Sequence, residues 1–374
     1  TKYIRRRIGK VNTPLNEKLE NVEWGKFSYN VLFKLCAVKN MLTKFSLDDD
    51  GKVPVYSSES TNNGIIGYTK NEPEFIVNKE NPIYIIFGDH TRSFNIATDS
   101  FCVTDNVKVL SVKEVCSIKV LLCIISSWKK CIPNIGYSRH WSLAKNIQFN
   151  LPISKNGKID FEFMENFIAD LETERIKKLE DYLIANGFDN YTLTAKEKQI
   201  LKDFKNQKFR EFNVIDIFEI ENTKNILSRD IIENSGKTPY LCASTENNAI
   251  SSYISYDEKY LDKGNCVFIG GKTFVVTYQE KDFYSNDSHN LALYFKNNIT
   301  KLNQLFLVTC INKSLGHKYS WGNSISKAKI QSDKVSLPIK ENQPNYELME
   351  TLISAIQKLV IKDVVLYVNN KING

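Results

Sequence analysis

The chain has 374 residues, of which 42% are hydrophobic, 11% aromatic and 25% charged. This length predicts two domains, and the composition is that of an ordinary globular protein rather than a fibrous or disordered one. The 50 lysines and arginines against 43 aspartates and glutamates give a net charge of +7, which is compatible with a polyanionic partner but does not establish one.

Membrane insertion and metal binding are both disfavoured by the sequence. The most apolar helical stretch, residues 112–128, is interrupted by Lys113, Glu114 and Lys119, so it cannot span a bilayer. The eight cysteines form no CxxC pair and have no histidine at ligand spacing, which favours buried free thiols over a metal site. No signal peptide opens the sequence, so we expect a cytoplasmic protein. The cysteine spacing leads us to expect no bound metal.

The first 160 residues predict a basic arm followed by an α+β unit. Residues 1–23 carry Arg5, Arg6 and Arg7 without periodicity, which favours a solvated arm over one that contacts phosphates. Residues 51–69 predict a strand, a turn that asparagine enters at positive φ, and a second strand. A strand at 82–89 and a buried helix at 112–131 follow. A polar loop at 136–142 then precedes a closing Leu-Pro-Ile strand at 151–153.

Residues 160–187 predict one long amphipathic helix. Asp160 is a good N-cap, and Gly187 is suited to close the C-terminal end. At 1.5 Å per residue the helix is about 40 Å long, which suggests a spacer. A shorter helix at 194–206 begins with a capping box formed by Thr194 and Glu197.

The whole plan is repeated at an offset of about 185 residues. Residues 345–353, NYELMETLI, match residues 160–168, DFEFMENFI, and the turn at Asn62 and Asn63 returns as Asn247 and Asn248. A strand at 265–271, a helix at 299–315, a loop at 316–324 and Leu-Pro-Ile at 337–339 follow in the same order. Ala249 replaces a glycine of the first copy, so we expect the second turn to differ in shape. We also expect the last helix to fray after Val368.

No catalytic motif accompanies these repeats. The sequence lacks a P-loop, GxGxxG, GxSxG and HExxH, and Asn81-Pro82-Ile83-Tyr84 lacks the second proline of an amino-methyltransferase loop. The histidines lie in loops, where a polar contact is more common than a general base. The sequence therefore predicts a protein without catalytic activity of its own.

Two diverged α+β copies, each followed by a long helix, resemble the specificity subunits of type I restriction–modification systems. KVPVYSSESTNNGIIGYT resembles the opening turn of a target recognition domain, and LPISKNGKIDFEFMENFI resembles the passage into a spacer helix. The junction YTLTAKEKQILKDF is similar to recognition subunits of type IIB systems and to the recognition ends of single-chain type IIG enzymes.

The resemblance implies an α+β fold with two repeated target recognition domains, joined by long helices that pack as an antiparallel coiled coil. The expected segments are 1–157 and 208–342 for the domains, with 158–207 and 343–374 for the first spacer with its connecting helix and the second spacer. The residues expected to pack between the spacers are Met164, Ile168, Leu171, Leu179, Met349, Leu352, Ile353 and Ile356.

The implied partners are double-stranded DNA, methyltransferase subunits and possible restriction subunits, with no membrane partner. S-adenosylmethionine is expected on the methyltransferase and no cofactor on this chain. The alternatives are the C-terminal recognition region of a single-chain type IIG enzyme, or a protein-interaction scaffold that does not bind DNA.

The predicted DNA contacts lie in the loops that diverge between the copies. Cations suit phosphates, while guanidinium and amide groups suit base edges. The candidates are His90, Thr91, Arg92, Ser93, Arg139, His140 and Trp141 in the first copy, and Lys272, Thr273, Tyr278, His317, Lys318, Tyr319, Trp321 and Asn323 in the second. Arg92 and Arg139 are the best candidates for reading guanine, whereas the paired asparagines favour turn formation over adenine reading. The alternative for each loop is a solvated loop with one packed aromatic.

Overall fold

A computed structural model describes residues 14–297 and 299–373 of the chain. It divides into two units, Thr1–Lys178 and Leu179–Gly374, which are described separately. Arg5, Arg6 and Arg7 of the predicted arm lie outside the described residues.

The first unit contains three groups of strands and two main helices. Its elements are α1 Pro14–Asn21, β1 Glu23–Ser28, α2 Tyr29–Leu32, β2 Phe33–Cys36, β3 Met41–Leu42, β4 Val53–Tyr56, β5 Ile65–Thr69, β6 Tyr84–Gly88, β7 Phe94–Ala97, β8 Cys102–Thr104, β9 Val107–Val112, α3 Ile118–Cys131, α4 Trp141–Ala144, β10 Gln148–Ile153 and the start of α5 Phe161–Ala185. The sheets have the strand orders β2-β9-β6-β7, β3-β8-β4-β5 and β1-β10.

The larger core of the first unit forms where α3 covers the β2-β9-β6-β7 sheet. Trp128 of α3 is fully buried, and its indole Nε1 donates to the carbonyl of Ala144 at 3.0 Å. Phe33 and Phe149 stack on its indole with ring centroids 6.0 and 5.6 Å away. This aromatic cluster fixes the helix against β2 and β10, and so positions the loops at the other ends of the strands.

The second unit contains the corresponding elements. These are the end of α5, then α6 Ala195–Asp203, β11 Phe209–Asn213, α7 Val214–Ile217, β12 Phe218–Asn222, β13 Thr238–Leu241, β14 Ile250–Ile254, β15 Cys266–Ile269, β16 Val276–Gln279, β17 Tyr284–Ser285, β18 Leu291–Phe295, α8 Lys301–Leu315, α9 Lys327–Ile330, β19 Lys334–Lys340, β20 Gln343–Pro344 and α10 Tyr346–Asn373. The strand orders are β12-β18-β15-β16, β14-β13-β17 and β11-β19-β20.

The repeat extends to strand register. In the first unit Val53 pairs with Thr69, and 185 residues later Thr238 pairs with Ile254. The ladders shift register at the same step, between Val55 and Tyr56 in one unit and between Tyr240 and Leu241 in the other. The prediction of two repeated α+β domains is confirmed.

Both ends of α5 are closed by the predicted caps. The Asp160 carboxylate accepts a hydrogen bond from the Phe163 amide at 2.8 Å. At the other end Gly187 has a φ of 67°, and the Phe188 amide bonds back to the Leu183 carbonyl at 2.8 Å, which is a Schellman motif. Asn345 caps α10 in the same way as Asp160, because its side chain accepts from the Leu348 amide at 3.1 Å.

The first turns of the two long helices are packed into the cores of their own units. Met164 is fully buried among α3 and β10, and Met349 is fully buried with Leu352 against α8 and β19. These three residues were expected to pack between spacer helices. The structure buries them in the cores of their own units, and packing between the helices stays a prediction. The remaining spacer candidates Ile168, Leu171, Leu179 and Ile353 are half-buried, and Ile356 is 41% exposed.

Four local expectations are wrong. The first buried helix starts at Ile118, because Ser117 caps it by accepting from the Val120 amide, and Val112 ends β9 instead. Residues 14–21 form a helix whose Lys18 pairs with Asp170.

The other two concern the second copy. α10 continues to Asn373 without fraying after Val368, since that side chain is only 2% exposed. Ala249 adopts a φ of 66°, close to the 77° of Gly64, so the second turn keeps the shape of the first.

Candidate nucleic-acid interface

Each unit carries a six-residue hairpin loop at the end of its central sheet. The loops are residues 88–93, which begin at the last residue of β6 and lead into β7, and residues 270–275, which connect β15 to β16. The Arg92 amide donates to the Gly88 carbonyl at 2.9 Å, and the Phe274 amide donates to the Gly270 carbonyl at 2.9 Å. Arg92 and Phe274 have φ values of 55° and 54°. The two loops therefore have the same backbone and different side chains.

A threonine hydroxyl ties each hairpin loop to the asparagine turn of its unit. Thr91 donates to the Ser58 carbonyl at 2.7 Å, and Thr273 donates to the Ala243 carbonyl at 3.0 Å. These two threonines were predicted to contact DNA, but their hydroxyls already have partners. They fix the position of the hairpin loop.

The asparagine turns are held by their own side-chain amides. Asn63 donates to the Ile96 carbonyl at 2.8 Å, and Asn248 donates to the Tyr278 carbonyl at 3.0 Å. Asn63 and Asn248 adopt φ values of 49° and 52°, which asparagine tolerates better than most residues. These contacts favour turn formation over base reading for both pairs.

The polar loop at 136–142 is anchored to the hairpin loop by two buried residues. His140 is 0% exposed, and its Nδ1 lies 3.0 Å from the Asp89 carbonyl while its Nε2 accepts from the Ile135 amide. The Trp141 amide donates to the Asp89 carboxylate at 2.6 Å, and the Trp141 ring is 8% exposed. His140, Trp141 and the buried Ser93 were predicted to contact DNA. All three are buried in the framework in this conformation, and a DNA contact by them stays a prediction.

A cleft of about 540 Å³ lies beside the hairpin loop of the first unit. His90 and Tyr137 line it, and their rings stack with centroids 4.5 Å apart and planes 7° apart. Arg139 is exposed near the end of the same loop. Arg92 is half-buried, and one guanidinium nitrogen donates to the Ile132 carbonyl at 2.9 Å. Arg139 thus presents the more accessible guanidinium of the two arginines.

In the second unit the hairpin loop carries a cation held by a carboxylate. Lys272 Nζ lies 2.9 Å from Asp287, and the ring Nδ1 of His289 lies 2.8 Å from the same carboxylate. Burial alone would raise the pKa of Asp287, but hydrogen bonds from the His289 amide, Lys272 and the His289 ring outweigh it and lower the pKa to about 2. Lys272 is therefore partly neutralised.

The loop at 316–324 mixes buried and exposed candidates. Tyr319 is 8% exposed and stacks on Phe274, with centroids 5.3 Å apart, and its hydroxyl donates to Asp333. Lys318 pairs with the same carboxylate at 3.0 Å. Burial, followed by the bond to Asp333, raises the pKa of Tyr319. Its side chain therefore supports the loop.

Four more candidates of the second unit divide in the same way. Tyr278 is 8% exposed and donates to Asn265 at 3.1 Å. Asn323 is exposed, but its amide bonds to Lys318 and Lys329. Trp321 is 76% exposed and His317 is also exposed. Trp321 and His317 are therefore accessible candidates of this loop, together with Lys318.

The remaining features concern metal ligands, the cysteine thiols and membrane-spanning helices. The described part of the chain holds no group of three or more histidine, cysteine, aspartate or glutamate side chains placed to bind a metal. All eight cysteines are free thiols, and burial raises the pKa of Cys266 and of Cys310 to about 12. Among the described helices, none has the length and apolarity needed to cross a membrane.

Sequence reasoning missed Tyr137 and Ser58. Tyr137 is 88% exposed at the tip of the loop that contains Arg139, and an aromatic residue after Gly136 was the available signal. Ser58 anchors the hairpin loop through its backbone carbonyl, which no sequence pattern reveals.

Comparisons with known proteins agree with this duplicated arrangement. The sequence model named "Type I restriction modification DNA specificity domain" matches the chain twice, at residues 21–181 and 206–366. The type II restriction enzyme specificity subunit S.BcgI from Heyndrickxia coagulans is 26% identical over 151 residues, which are 40% of this chain and 44% of that protein. The matched segment thus spans less than half of this relative's length.

A solved structure matches over most of the chain. The crystal structure of a type I restriction–modification system S subunit from M. genitalium has a TM-score of 0.59 and 15% sequence identity to this chain. The match covers 94% of this chain and 93% of that chain, and it supports the fold.

Proposed function

Because the chain belongs to the type I restriction modification DNA specificity domain family, we propose that it is a non-catalytic specificity subunit that reads a bipartite site in double-stranded DNA. Each unit would read one half-site. The observation that carries this proposal is the pair of hairpin loops at 88–93 and 270–275, which share a backbone and differ in side chains. A constant framework with variable loops is what two different half-sites require.

The accessible candidates supply the chemistry of base and phosphate contacts. In the first unit we propose Arg139 as the main base-reading residue, since a guanidinium bonds guanine O6 and N7 through two donors. Arg92 and His90 would add contacts beside it. In the second unit we propose that the DNA contacts are made by Lys272, His317, Lys318 and Trp321. Ion pairs with Asp287 and Asp333 hold the two lysines in position.

We propose that α5 and α10 set the distance between the half-sites. They contain 25 and 28 residues, and at 1.5 Å per residue each is about 40 Å long. One turn of B-DNA spans about 34 Å, so half-sites about one turn apart would suit this length. In this proposal the recognition domains are residues 1–157 and 208–342, and the spacers are residues 158–207 and 343–374. The two long helices would pair antiparallel.

We further propose that methyltransferase subunits dock on the helical part, with restriction subunits joining in some assemblies. An apolar stripe on α10 supports this, because Leu359, Val360, Val364 and Tyr367 are between 37% and 74% exposed. S-adenosylmethionine would bind the methyltransferase and not this chain. We place the complex in the cytoplasm, where its DNA substrate is.

The test is selection of bound sequences from a randomised duplex library by this chain together with its methyltransferase partner. We expect two short conserved blocks separated by a fixed spacer. Affinity for the selected duplex should fall steeply as salt rises, because phosphate contacts release counterions. Sequencing of methylated bases in cells that carry the pair should return the same site. A scaffold that does not bind DNA would select no sequence.

A further inference from the structure

We propose that Tyr137 determines specificity in the first unit by apolar contact with a nucleobase. This inference rests on the proposed function, and it adds a mode of reading that differs from the hydrogen bonds of Arg139. The relevant ligand chemistry is the apolar surface of a base, either its face or the methyl group of thymine.

The first observation is the exposure and support of the ring. Tyr137 is 88% exposed at the tip of a tight turn, in which the Ser138 amide bonds to the Gly136 carbonyl at 2.9 Å. Gly136 has a φ of 73°, a conformation that glycine adopts readily. One face of the ring is covered by His90, with centroids 4.5 Å apart and planes 7° apart. Tyr137 thus projects from the surface with one face of its ring stacked on His90.

The second observation concerns the supporting residue. The His90 amide donates to the Ser58 hydroxyl at 3.2 Å, and the hairpin loop that carries it is tied down by Thr91. The His90 ring nitrogen Nδ1 is buried and finds no hydrogen-bond partner in the described ranges. Contact with Tyr137, rather than a hydrogen bond at Nδ1, therefore helps to hold the imidazole. A rigid aromatic pair loses little conformational entropy when it contacts a ligand.

The third observation is independent, because it comes from the second unit. The loop in the corresponding place presents Trp321, which is 76% exposed. Ser320 and Asn323 close the turn beneath it with two backbone hydrogen bonds of 3.2 and 2.9 Å. Both units therefore display one aromatic ring on the same loop, although the loops differ in length and sequence. This is the placement expected if each unit contacts a nucleobase with one aromatic residue.

The experiment compares variants of the full chain, assembled with its methyltransferase partner, in selection from a randomised duplex library. Tyr137→Ala should relax preference at one or two adjacent positions of one half-site and weaken binding to the wild-type site by about tenfold. Tyr137→Phe should retain the preference because it keeps the ring. His90→Ala should produce part of the Tyr137→Ala effect at the same positions, since it removes the support.

The controls separate this inference from the proposed function. Ile135→Ala removes a 47% exposed apolar side chain from the same loop and should leave the selected site unchanged. Trp321→Ala should affect the other half-site. Uracil in place of thymine at the affected positions distinguishes methyl contact, which it weakens, from stacking, which it does not.

If the wild-type complex selects no sequence, the proposed function fails. If the wild type selects a bipartite site and Tyr137→Ala selects the identical site with equal affinity, the inference about Tyr137 is overturned while the function stands. Circular dichroism of each variant checks that the chain is folded.

Discussion

The buried carboxylate of Glu197 should stabilise the contact between α6 and α10. Glu197 is 4% exposed and receives hydrogen bonds from Ser354 at 2.7 Å, from Lys358 at 2.9 Å and from the Thr194 amide at 2.7 Å. Replacing it with glutamine keeps the volume and removes the charge. Lys358, whose side chain is 19% exposed, would then be left without its counter-ion.

The magnitude follows from the pKa of this carboxyl. Burial opposes the charged form, but the hydrogen bonds from Thr194, Ser354 and Lys358 outweigh burial and lower the pKa from 4.5 to about 2. That difference corresponds to about 3 kcal/mol of stability, similar to the cost of breaking a buried ion pair. Because the folded pKa lies below the unfolded value, this contribution is present above about pH 4.5 and is lost as the pH falls toward 2.

The assay is urea unfolding of the full chain, with hydrogen exchange of the α6 amides to assign the effect to this helix. We expect Glu197→Gln to lower the free energy of unfolding by about 3 kcal/mol at pH 7 and by much less at pH 3. Glu347→Gln is the matched control, because it breaks the exposed pair of Lys196 and Glu347 between the same two helices and should leave the free energy of unfolding nearly unchanged. Equal effects of the two variants at pH 7 would refute the reasoning.

Three further predictions concern DNA reading and the turn. Arg139→Ala should relax specificity in one half-site only, by about tenfold at the affected base pair, and library selection would reveal a loss in both half-sites if reading were not modular. Four residues inserted near Glu172 should lengthen α5 by ~6 Å, so the preferred spacer should grow by about two base pairs; an unchanged spacer contradicts the role of α5. Gly64→Ala would place a Cβ 2.2 Å from Asn95 Nδ2 and should lower the free energy of unfolding by about 2 kcal/mol. Asn95→Thr should restore part of that loss, because the corresponding strand position of the second unit, whose turn contains Ala249, is occupied by Thr277; thermal melts of the single and double variants test this.

Local sequence rules predicted the repeated framework well. Asp160, Gly187 and the capping box at Thr194 act within one helical turn, so their partners are close in sequence. Because the sequence repeats at an offset of about 185 residues, the elements of the second unit could be predicted from those of the first. These features depend on short-range hydrogen bonds and on hydrophobic spacing, which a sequence displays directly.

The orientation of loop side chains was not predictable in the same way. His140 and Trp141 are polar-loop residues by sequence, yet the backbone and carboxylate of Asp89, about 50 residues earlier, draw them into the core. Arg92 turns one nitrogen toward the Ile132 carbonyl, 40 residues away. Contacts of this range depend on the packed sheet. The helical tail at Val368 persists for a related reason, since burial outweighs the low helix propensity of valine.

The matched backbones of the two hairpin loops have an evolutionary consequence. Each loop has six residues and is closed by its own backbone bonds together with one threonine hydroxyl, so the side chains of His90 and Lys272 can change without disturbing this closure. Transplanting residues 270–275 into the place of residues 88–93 would keep the threonine and the closing backbone bonds, but it would remove the Asp89 carboxylate that accepts from the Trp141 amide. Since the turns beneath them also match, a few exchanges of this kind would make the half-sites more alike and move the target toward a palindrome. If each unit reads one half-site, as we propose, exchanging short segments between the units would change the target.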